Sequence, residues 1–194
     1  MPSWLSIVFQ DYGKSLLPWM TNVANVALAV SDRKRAERER LATRALERVG
    51  LTQVASSYPW ELSGGMHQRV ALARAICGEI SVLVMDEPFA SVDALMRTYL
   101  EDEVLHLWSE PGFSAVLVTH DVGEAVYMAD RVLVLSPRPA TIVGEVAIPL
   151  PRPRSQVATR REPLFGEPYA RVLALVEGEA GDPTTTRPRA DAPG

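Results

Sequence analysis

The stretch Ile80-Ser-Val-Leu-Val-Met-Asp-Glu-Pro88 runs from a largely apolar segment directly into two adjacent carboxylates. A segment of this kind predicts a β-strand that is buried on both faces, as in a parallel sheet. The carboxyl ends of such strands form the edge at which α/β proteins bind ligands. Adjacent acids repel each other and are costly to desolvate, so a divalent cation is their natural partner. The stretch therefore predicts a cation site, the alternative being a solvated acidic turn.

The two carboxylates are expected to have different roles. Side chains alternate along a strand, so Asp86 and Glu87 point in different directions. We expect Asp86 to bind Mg²⁺, directly or through water, and Glu87 to polarise an attacking water.

Strands and helices alternate along the chain on both sides of this stretch. Further strands are predicted over residues 5–9, 115–118, 132–135 and 142–148, and those at 115–118 and 132–135 are apolar throughout, which predicts burial on both faces. Helices are predicted over 32–50, 65–77, 94–109 and 121–128, with Gly50 as a C-terminal stop and Asp121 as an N-cap at capping-box spacing from Glu124. The segment 15–30 has a partly helical spacing of apolar residues. This alternation predicts an α/β fold with a mostly parallel sheet. Ten of the fifteen prolines follow residue 136, so the compact domain is expected to end soon after that point.

Composition excludes several classes of protein. A length of 194 residues suits one domain, and a net charge of −4 gives no electrostatic case for a nucleic-acid partner. The single cysteine, Cys77, excludes an intrachain disulfide framework and a cysteine-rich zinc site. The longest uncharged stretch, residues 15–31, is 17 residues long and contains Pro18, Asn22 and Asn25. It falls short of the ~20 apolar residues of a membrane-spanning helix, so we expect a cytoplasmic protein.

Two further motifs carry possible phosphate chemistry. Leu62-Ser-Gly-Gly-Met66 precedes a helical pattern, with Ser63 at the N-cap and two glycines that let backbone N–H groups approach an anion. The alternative is a plain serine cap. Thr119-His-Asp121 directly follows a predicted strand, where His120 can reach a γ-phosphate or have a structural role. Gln10, after the first strand, is uninformative in isolation.

These motifs occur in the order and at the intervals of an ABC transporter nucleotide-binding subunit, which the chain resembles from about Ile7 to Arg154. Five segments carry the resemblance: Phe9-Gln10 (Q-loop), Leu62–Gln68 (signature, with Met66 where glutamine is usual), Ile80–Glu87 (Walker B), Ala90–Asp93 (D-loop) and Thr119–Asp121 (H-loop). Each motif alone is weak evidence of a family, but five motifs in this order are specific for this one.

The resemblance implies a P-loop NTPase (RecA-like) fold with an inserted helical subdomain. Residues 1–154 would form a partial ABC ATPase domain, with a helical signature lobe at about 18–78 and an α/β core at 1–17 and 79–154. Residues 155–176 would be a C-terminal extension containing a short helix, and 177–194 a disordered tail.

The resemblance also implies cofactors, partners and residue roles. ATP and Mg²⁺ would bind between two ATP-binding subunits arranged head to tail, which would drive transmembrane permease subunits and, through them, serve an external solute-binding protein. The subunit would lie on the inner face of the plasma membrane. Gln10 would contact Mg²⁺ and the attacking water, Asp86 would hold Mg²⁺, Glu87 would be the general base, and His120 would contact the γ-phosphate. The nucleotide-binding residues would be Ser63, Gly64, Gly65, Gln68 and Asp93, the last also linking the two sites.

Two regions narrow the resemblance to the nitrate/sulfonate/taurine importer group. They are residues 11–21 and the proline-rich segments 136–143 and 149–154. Trp19 and Leu17 would pack against a permease helix, or else belong to the core of the helical lobe, which we favour for Leu17.

The chain departs from the family pattern in one respect. The phosphate-loop motif G-x-x-x-x-G-K-[ST] does not occur in these 194 residues, which hold only two lysines. Gly13-Lys14-Ser15 is a fragment of it, but Val8 stands where the first glycine belongs. We therefore expect the chain to begin inside the family's domain, without its N-terminal β lobe. The remaining sheet would then have an unpaired edge and an apolar face, and the isolated chain would be an unstable monomer.

Two functions remain open at this point. One is the ATPase subunit of an importer, and the other is a catalytically incompetent module that supplies only its signature face to an intact partner. A DNA-repair ATPase of the same family ranks last, because the interval from Gln10 to Ser63 has no room for a long coiled coil.

The absence of the phosphate-loop motif from these residues predicts the behaviour of the isolated chain. The purified, folded 194-residue chain should show very weak ATP binding and no measurable Mg²⁺-dependent hydrolysis, as measured by phosphate release. Turnover that Glu87→Gln abolishes would contradict this prediction.

Overall fold

The computed structural model describes residues 4–8, 15–90, 92–109 and 112–180. Gln10, a predicted magnesium and water ligand, lies outside these ranges, as does residue 91 of the D-loop motif. Residues 181–194, most of the predicted tail, also lie outside them.

A three-stranded parallel sheet forms around the quoted stretch. The strand β2 (Val82–Asp86) lies between β1 (Leu5–Val8) and β3 (Ser114–Val118). Asp86 stands opposite Val118 in the register, so β2 and β3 end together at one edge of the sheet. The predicted α/β fold is confirmed.

The last two strands form a separate antiparallel hairpin, β4 (Arg131–Leu135) and β5 (Ile142–Ala147). The prediction of a mostly parallel sheet thus holds for three of the five strands in the described residues.

Burial on both faces was expected for the central strands, and for β3 and β4 this expectation is wrong. Val116 and Val118 of β3 are 49% and 47% exposed, and Leu133 and Leu135 of β4 are also exposed. The reason is that the described residues cover only one face of each strand, so exposure alternates along both. Among those residues β3 also pairs only with β2. An unpaired edge with an apolar face was expected, and β3 has both.

Seven α-helices occur in the described residues. They are α1 (Asn22–Ala27), α2 (Arg35–Arg48), α3 (Gly64–Ala75), α4 (Ala94–Ser109), α5 (Val122–Met128), α6 (Gln156–Arg161) and α7 (Pro163–Ala180). Most ends lie within a few residues of the predicted ones, and α4 has the predicted bounds. Gly50 follows α2 with a φ of +67°, the left-handed stop that its position predicted.

The helices α1 to α3 form a helical lobe whose polar core explains why residues 15–31 are not a membrane helix. Asn25 is fully buried, and its side chain accepts from the Leu17 N–H at 2.7 Å and donates to the carbonyls of Leu17, Met20 and Thr21. Asn22, also fully buried, donates to the Val54 carbonyl at 2.8 Å. Within the part of the chain that the structure describes, helices long and apolar enough to span a bilayer do not occur.

The C-terminal helix packs on the β4–β5 hairpin. A Cβ added at Gly144 would lie 2.5 Å from Leu175 Cδ1, so only glycine allows α7 this close to β5. The helix continues to Ala180, which corrects the predicted start of the disordered tail at residue 177. The physical reason is that the first proline after Pro168 is Pro183, so the sequence offers no proline break near 177.

Arg154 fastens the C-terminal segment to the domain. Its side chain is 1% exposed and donates to the carbonyls of Tyr127, Ala129 and Leu150 at 2.8–3.1 Å, and to Asp130 Oδ1 at 3.1 Å. Arg152 reaches the same Asp130 oxygen at 2.9 Å but is 33% exposed. The two arginines therefore form a matched pair that differs mainly in burial.

Arg154→Met should lower the free energy of unfolding by about 3 kcal/mol, because buried carbonyls lose their donors at ~1–3 kcal/mol each. Arg152→Met should cost no more than ~1 kcal/mol, as for an exposed ion pair. Urea denaturation of the two variants measures both effects, and equal losses would contradict the assignment.

Candidate functional site

The turn after β2 carries the two predicted acids. Asp86 ends the strand with an exposed side chain. Glu87 has a φ of +47°, a left-handed conformation that is uncommon outside glycine, asparagine and aspartate. Its backbone N–H donates to the Val118 carbonyl at 2.9 Å, so the pairing of β2 and β3 holds the turn in this conformation.

The carboxylate of Glu87 meets His120 across the ends of the two strands. Its Oε1 lies 2.7 Å from His120 Nδ1, and the Glu87 side chain is 24% exposed. The hydrogen bond from His120 to Glu87, together with the charge of that carboxylate, raises the pKa of His120 above its usual value of 6.5. Two residues with separately predicted roles in ATP hydrolysis are thus in direct contact.

The residues that follow Glu87 form a tight turn that leads into α4. The Ala90 N–H donates to the Glu87 carbonyl and the Val92 N–H to the Phe89 carbonyl, at 3.3 and 3.2 Å. Asp93 Oδ1 accepts from the Met96 N–H at 3.0 Å, so Asp93 caps the start of α4.

The predicted signature motif begins α3. Ser63 is the N-cap, as predicted, and its hydroxyl accepts from the Met66 N–H at 3.4 Å. Gly64 is open, and a Cβ there would meet no atom within 4 Å. Gly65 is buried instead, and a Cβ there would lie 3.0 Å from Met96 Sδ. The exposed start of this helix is therefore Ser63 and Gly64.

Gln68 joins the signature helix to the turn after β2. It is 6% exposed, and its amide donates to the Pro88 carbonyl at 2.8 Å. This contact places Gln68 between the two motifs, and its predicted role as a nucleotide ligand stays a prediction.

The structure thus brings Asp86, Glu87 and His120 to one edge of the sheet, and places Ser63 and Gly64 on the helical lobe. Within the described ranges, groups of three or more histidine, cysteine or acidic side chains able to hold a metal ion do not occur. Mg²⁺ is commonly bound by one or two carboxylates together with phosphate oxygens, so an exposed Asp86 at a strand end fits that ion.

Sequence reasoning missed a buried acidic cluster next to His120. Glu101 and Glu124 are 2% and 4% exposed, and Gln156 and Arg160 of the C-terminal segment contact Glu101 at 2.5 and 3.5 Å. Burial and the charge of Glu101 raise the pKa of Glu124 to about 7. The sequence signal was limited to the Asp121–Glu124 spacing, and Asp121 does cap α5 by accepting from the Glu124 N–H at 3.0 Å.

Comparison with known proteins agrees with this arrangement. Residues 2–90 match the model of a family described as ABC transporter. The chain is 43% identical over 164 residues to the nitrate import ATP-binding protein NrtC of Synechococcus elongatus, covering 82% of this chain and 25% of that protein. It is 43% identical over 149 residues to the taurine import ATP-binding protein TauB of Chromobacterium violaceum, covering 76% of this chain and 56% of the relative.

A third relative has another solute in its name. The bicarbonate transport ATP-binding protein CmpD of Synechococcus elongatus is 39% identical over 164 residues, covering 82% of this chain and 58% of that protein. The chain therefore spans between 25% and 58% of the length of these three curated relatives. Residues 2–90 thus match the ABC transporter family, and the chain resembles the ATP-binding proteins of nitrate, taurine and bicarbonate import.

The contact between His120 and Glu87 predicts a titration. Glu87→Gln removes the carboxylate that favours the charged imidazole, so the pKa of His120 should fall towards 6.5. Less of the imidazolium should then remain at neutral pH. NMR titration of the His120 ring measures the change. Glu145→Gln is the control, since it alters a glutamate 54% exposed in the hairpin, and an equal response to both variants would contradict the contact.

Proposed function

We propose that the chain is part of an ATP-binding and ATP-hydrolysing subunit that energises an ABC-type importer of a small solute such as nitrate, sulfonate or taurine. The observation that carries the proposal is the 2.7 Å contact of Glu87 with His120, beside the exposed Asp86 at the end of a parallel strand. The names of the relatives support the transport context.

Glu87 would act as the general base. His120 occupies one carboxylate oxygen, Oε1, and thereby orients the other towards solvent-accessible space, where it can accept a proton from water. The exposed imidazole of His120 can at the same time approach a γ-phosphate. Its raised pKa keeps more of the imidazolium at neutral pH, which favours an anionic neighbour.

Asp86 would hold Mg²⁺, which supplies charge neutralisation to the nucleotide phosphates when bound. Gln10, the further ligand that the resemblance implies, belongs to the same proposal. The side chain of Asp86 is exposed, so its oxygens are available at the edge where Glu87 and His120 lie.

The start of α3 would serve the nucleotide of a second ATP-binding subunit in a head-to-tail dimer. Ser63 and Gly64 are exposed at the N-terminus of a 12-residue helix, where backbone N–H groups and the helix dipole favour phosphate. Gly65 and Gln68, the further nucleotide-binding residues that the resemblance implies, belong to the same proposal, and both also pack this helix against α4 and the turn at Pro88. Asp93, which caps α4, would lie at the interface between the two sites.

The permease subunits would contact the helical lobe. Trp19 is 71% exposed, and the buried Asn25 side chain holds the loop around it by donating to the carbonyls of Leu17 and Met20. The loop therefore presents a large apolar side chain in a fixed position. An external solute-binding protein would act through the permease, and the subunit would lie on the inner face of the membrane.

The second candidate function is a module that supplies only its signature face to an intact partner. The observation that favours it is the exposed N-terminus of α3, where Ser63 caps the helix and Gly64 is open, so the signature face is formed by described residues of this chain.

A defined heterodimer of this chain with an intact ATP-binding subunit separates the two functions. Ser63→Arg in this chain alone should abolish the composite site that contains its signature, because the added side chain occupies the space where backbone and phosphate meet. Phosphate release measures the loss, and Glu145→Gln controls for expression and assembly.

Glu87→Gln in the same heterodimer should lower turnover by ~10²–10⁴-fold at the site that uses it, if this chain hydrolyses ATP. Loss with Ser63→Arg but unchanged turnover with Glu87→Gln would favour the signature-only module. Unchanged turnover with both substitutions would contradict both functions.

A further inference from the structure

Arg97 lies in the first turns of α4 and contacts two parts of the site at once. Its Nη2 donates to the Val92 carbonyl at 3.4 Å, in the turn that follows Glu87. Its Nη1 lies 3.5 Å from Oδ2 of Asp121, the residue after His120. The guanidinium therefore bridges the two segments that carry the acid and the histidine.

These contacts close a ring around the site. From Glu87 the chain passes through the hydrogen-bonded turn to Val92, and Arg97 connects Val92 to Asp121. Asp121 is covalently joined to His120, whose ring returns to Glu87 at 2.7 Å. The carboxylate and the imidazole are thus connected by a second path besides the pairing of β2 with β3.

The chemistry of the bridge requires an arginine. Its planar guanidinium presents several donors in a fixed fork, whereas a lysine ammonium is a single point at the end of a flexible chain. The side chain of Arg97 is 31% exposed, and its Nε is buried with no hydrogen-bond partner in the described part of the chain. The fork is therefore held between the two segments, with one side towards solvent.

Arg97 is also the cation that faces a group of acids. Asp121 divides its two oxygens between the N-cap contact to Glu124 and the ion pair with Arg97. The positive charge of Arg97 lowers the pKa of both Glu101 and Glu124, and so counters part of the rise that burial causes. Its removal would leave Asp121 without the cation that orients its second oxygen.

We propose that Arg97 is a positioning residue that couples Val92 to His120 and thereby fixes the Glu87–His120 contact. The inference rests on the proposed function, in which these two side chains act together on ATP and water. Because the turn contains the D-loop segment, a partner subunit that displaces this turn would change the catalytic pair through Arg97.

The test measures the titration of His120 by NMR in the full 194-residue chain, without nucleotide, for Arg97→Lys and Arg97→Gln. If Arg97 positions the pair, both variants lengthen the contact, and the pKa of His120 falls towards 6.5, further for Gln than for Lys. The matched controls are Arg33→Lys and Arg33→Gln, since Arg33 is 46% exposed and pairs with Asp32 and Glu37 outside the site. They should leave His120 unchanged.

The direction in which the pKa of His120 shifts separates a positioning role of Arg97 from a direct effect of its charge. Loss of a nearby positive charge by itself would raise the pKa of His120, and Arg97→Lys, which keeps the charge, would not change it. That pattern, or no response to either variant, would overturn the proposal. On a Glu87→Gln background, Arg97→Lys should produce no further fall, and a full additional fall would also overturn it.

Loss of the native far-UV circular dichroism in both variants would overturn the proposal as well, because it would make Arg97 part of the folding core. The titration needs no ATP, so it separates this inference from the proposed function. A lowered pKa of His120 together with an inactive heterodimer would support the positioning role and contradict the ATPase.

Discussion

The parallel pairing of β2 with β3 is the constraint on which the site depends. Since Asp86 stands opposite Val118, the residues after each strand leave the sheet side by side. The backbone bond from Glu87 N–H to the Val118 carbonyl then holds Glu87 in its left-handed conformation, and the carboxylate reaches His120. A shift of one residue in the register of either strand would turn the side chains of that strand to the opposite face of the sheet and separate the pair.

A second set of contacts ties the helical lobe to that edge. Gln68 joins α3 to the Pro88 carbonyl from a buried position, and Gly65 allows α3 to approach Met96 of α4. The helix α3 therefore contacts both the turn after β2 and the helix α4 directly, and these contacts do not involve the strands of the sheet. A movement of the helical lobe would therefore be transmitted to the turn at Glu87 through its contacts with Pro88 and Met96.

Much of this could be predicted from the sequence because the signals were local. The strand ending at Asp86, the Ser63 cap, the Asp121 cap and the Gly50 stop each follow from a few neighbouring residues. Predictions failed where burial or side-chain contacts depended on residues far away in the sequence. The valines of β3 predicted a strand that is buried on both faces, yet the described residues cover only one face of this strand. Arg97 and Glu101 belong to helix patterns that gave no sign of their side-chain partners Asp121 and Gln156, since these lie more than twenty residues away in the sequence.

The buried acids show how the C-terminal segment bears on the site. Gln156 and Arg160 bring donors to Glu101, and the Arg160 guanidinium lies 5.0 Å from the centre of the Tyr127 ring. The neighbouring Glu124 keeps one oxygen buried without a hydrogen-bond partner among the described residues, and burial raises its pKa to about 7. Its folded pKa is above the unfolded value, so the folded state binds more protons between about 4.5 and 7. Stability from this group therefore falls as the pH rises through that range, and the positive charge of Arg97 limits the loss. Arg97 also pairs with Asp121, while Arg160 pairs with Glu101, so the C-terminal segment and α4 each place a cation among these acids.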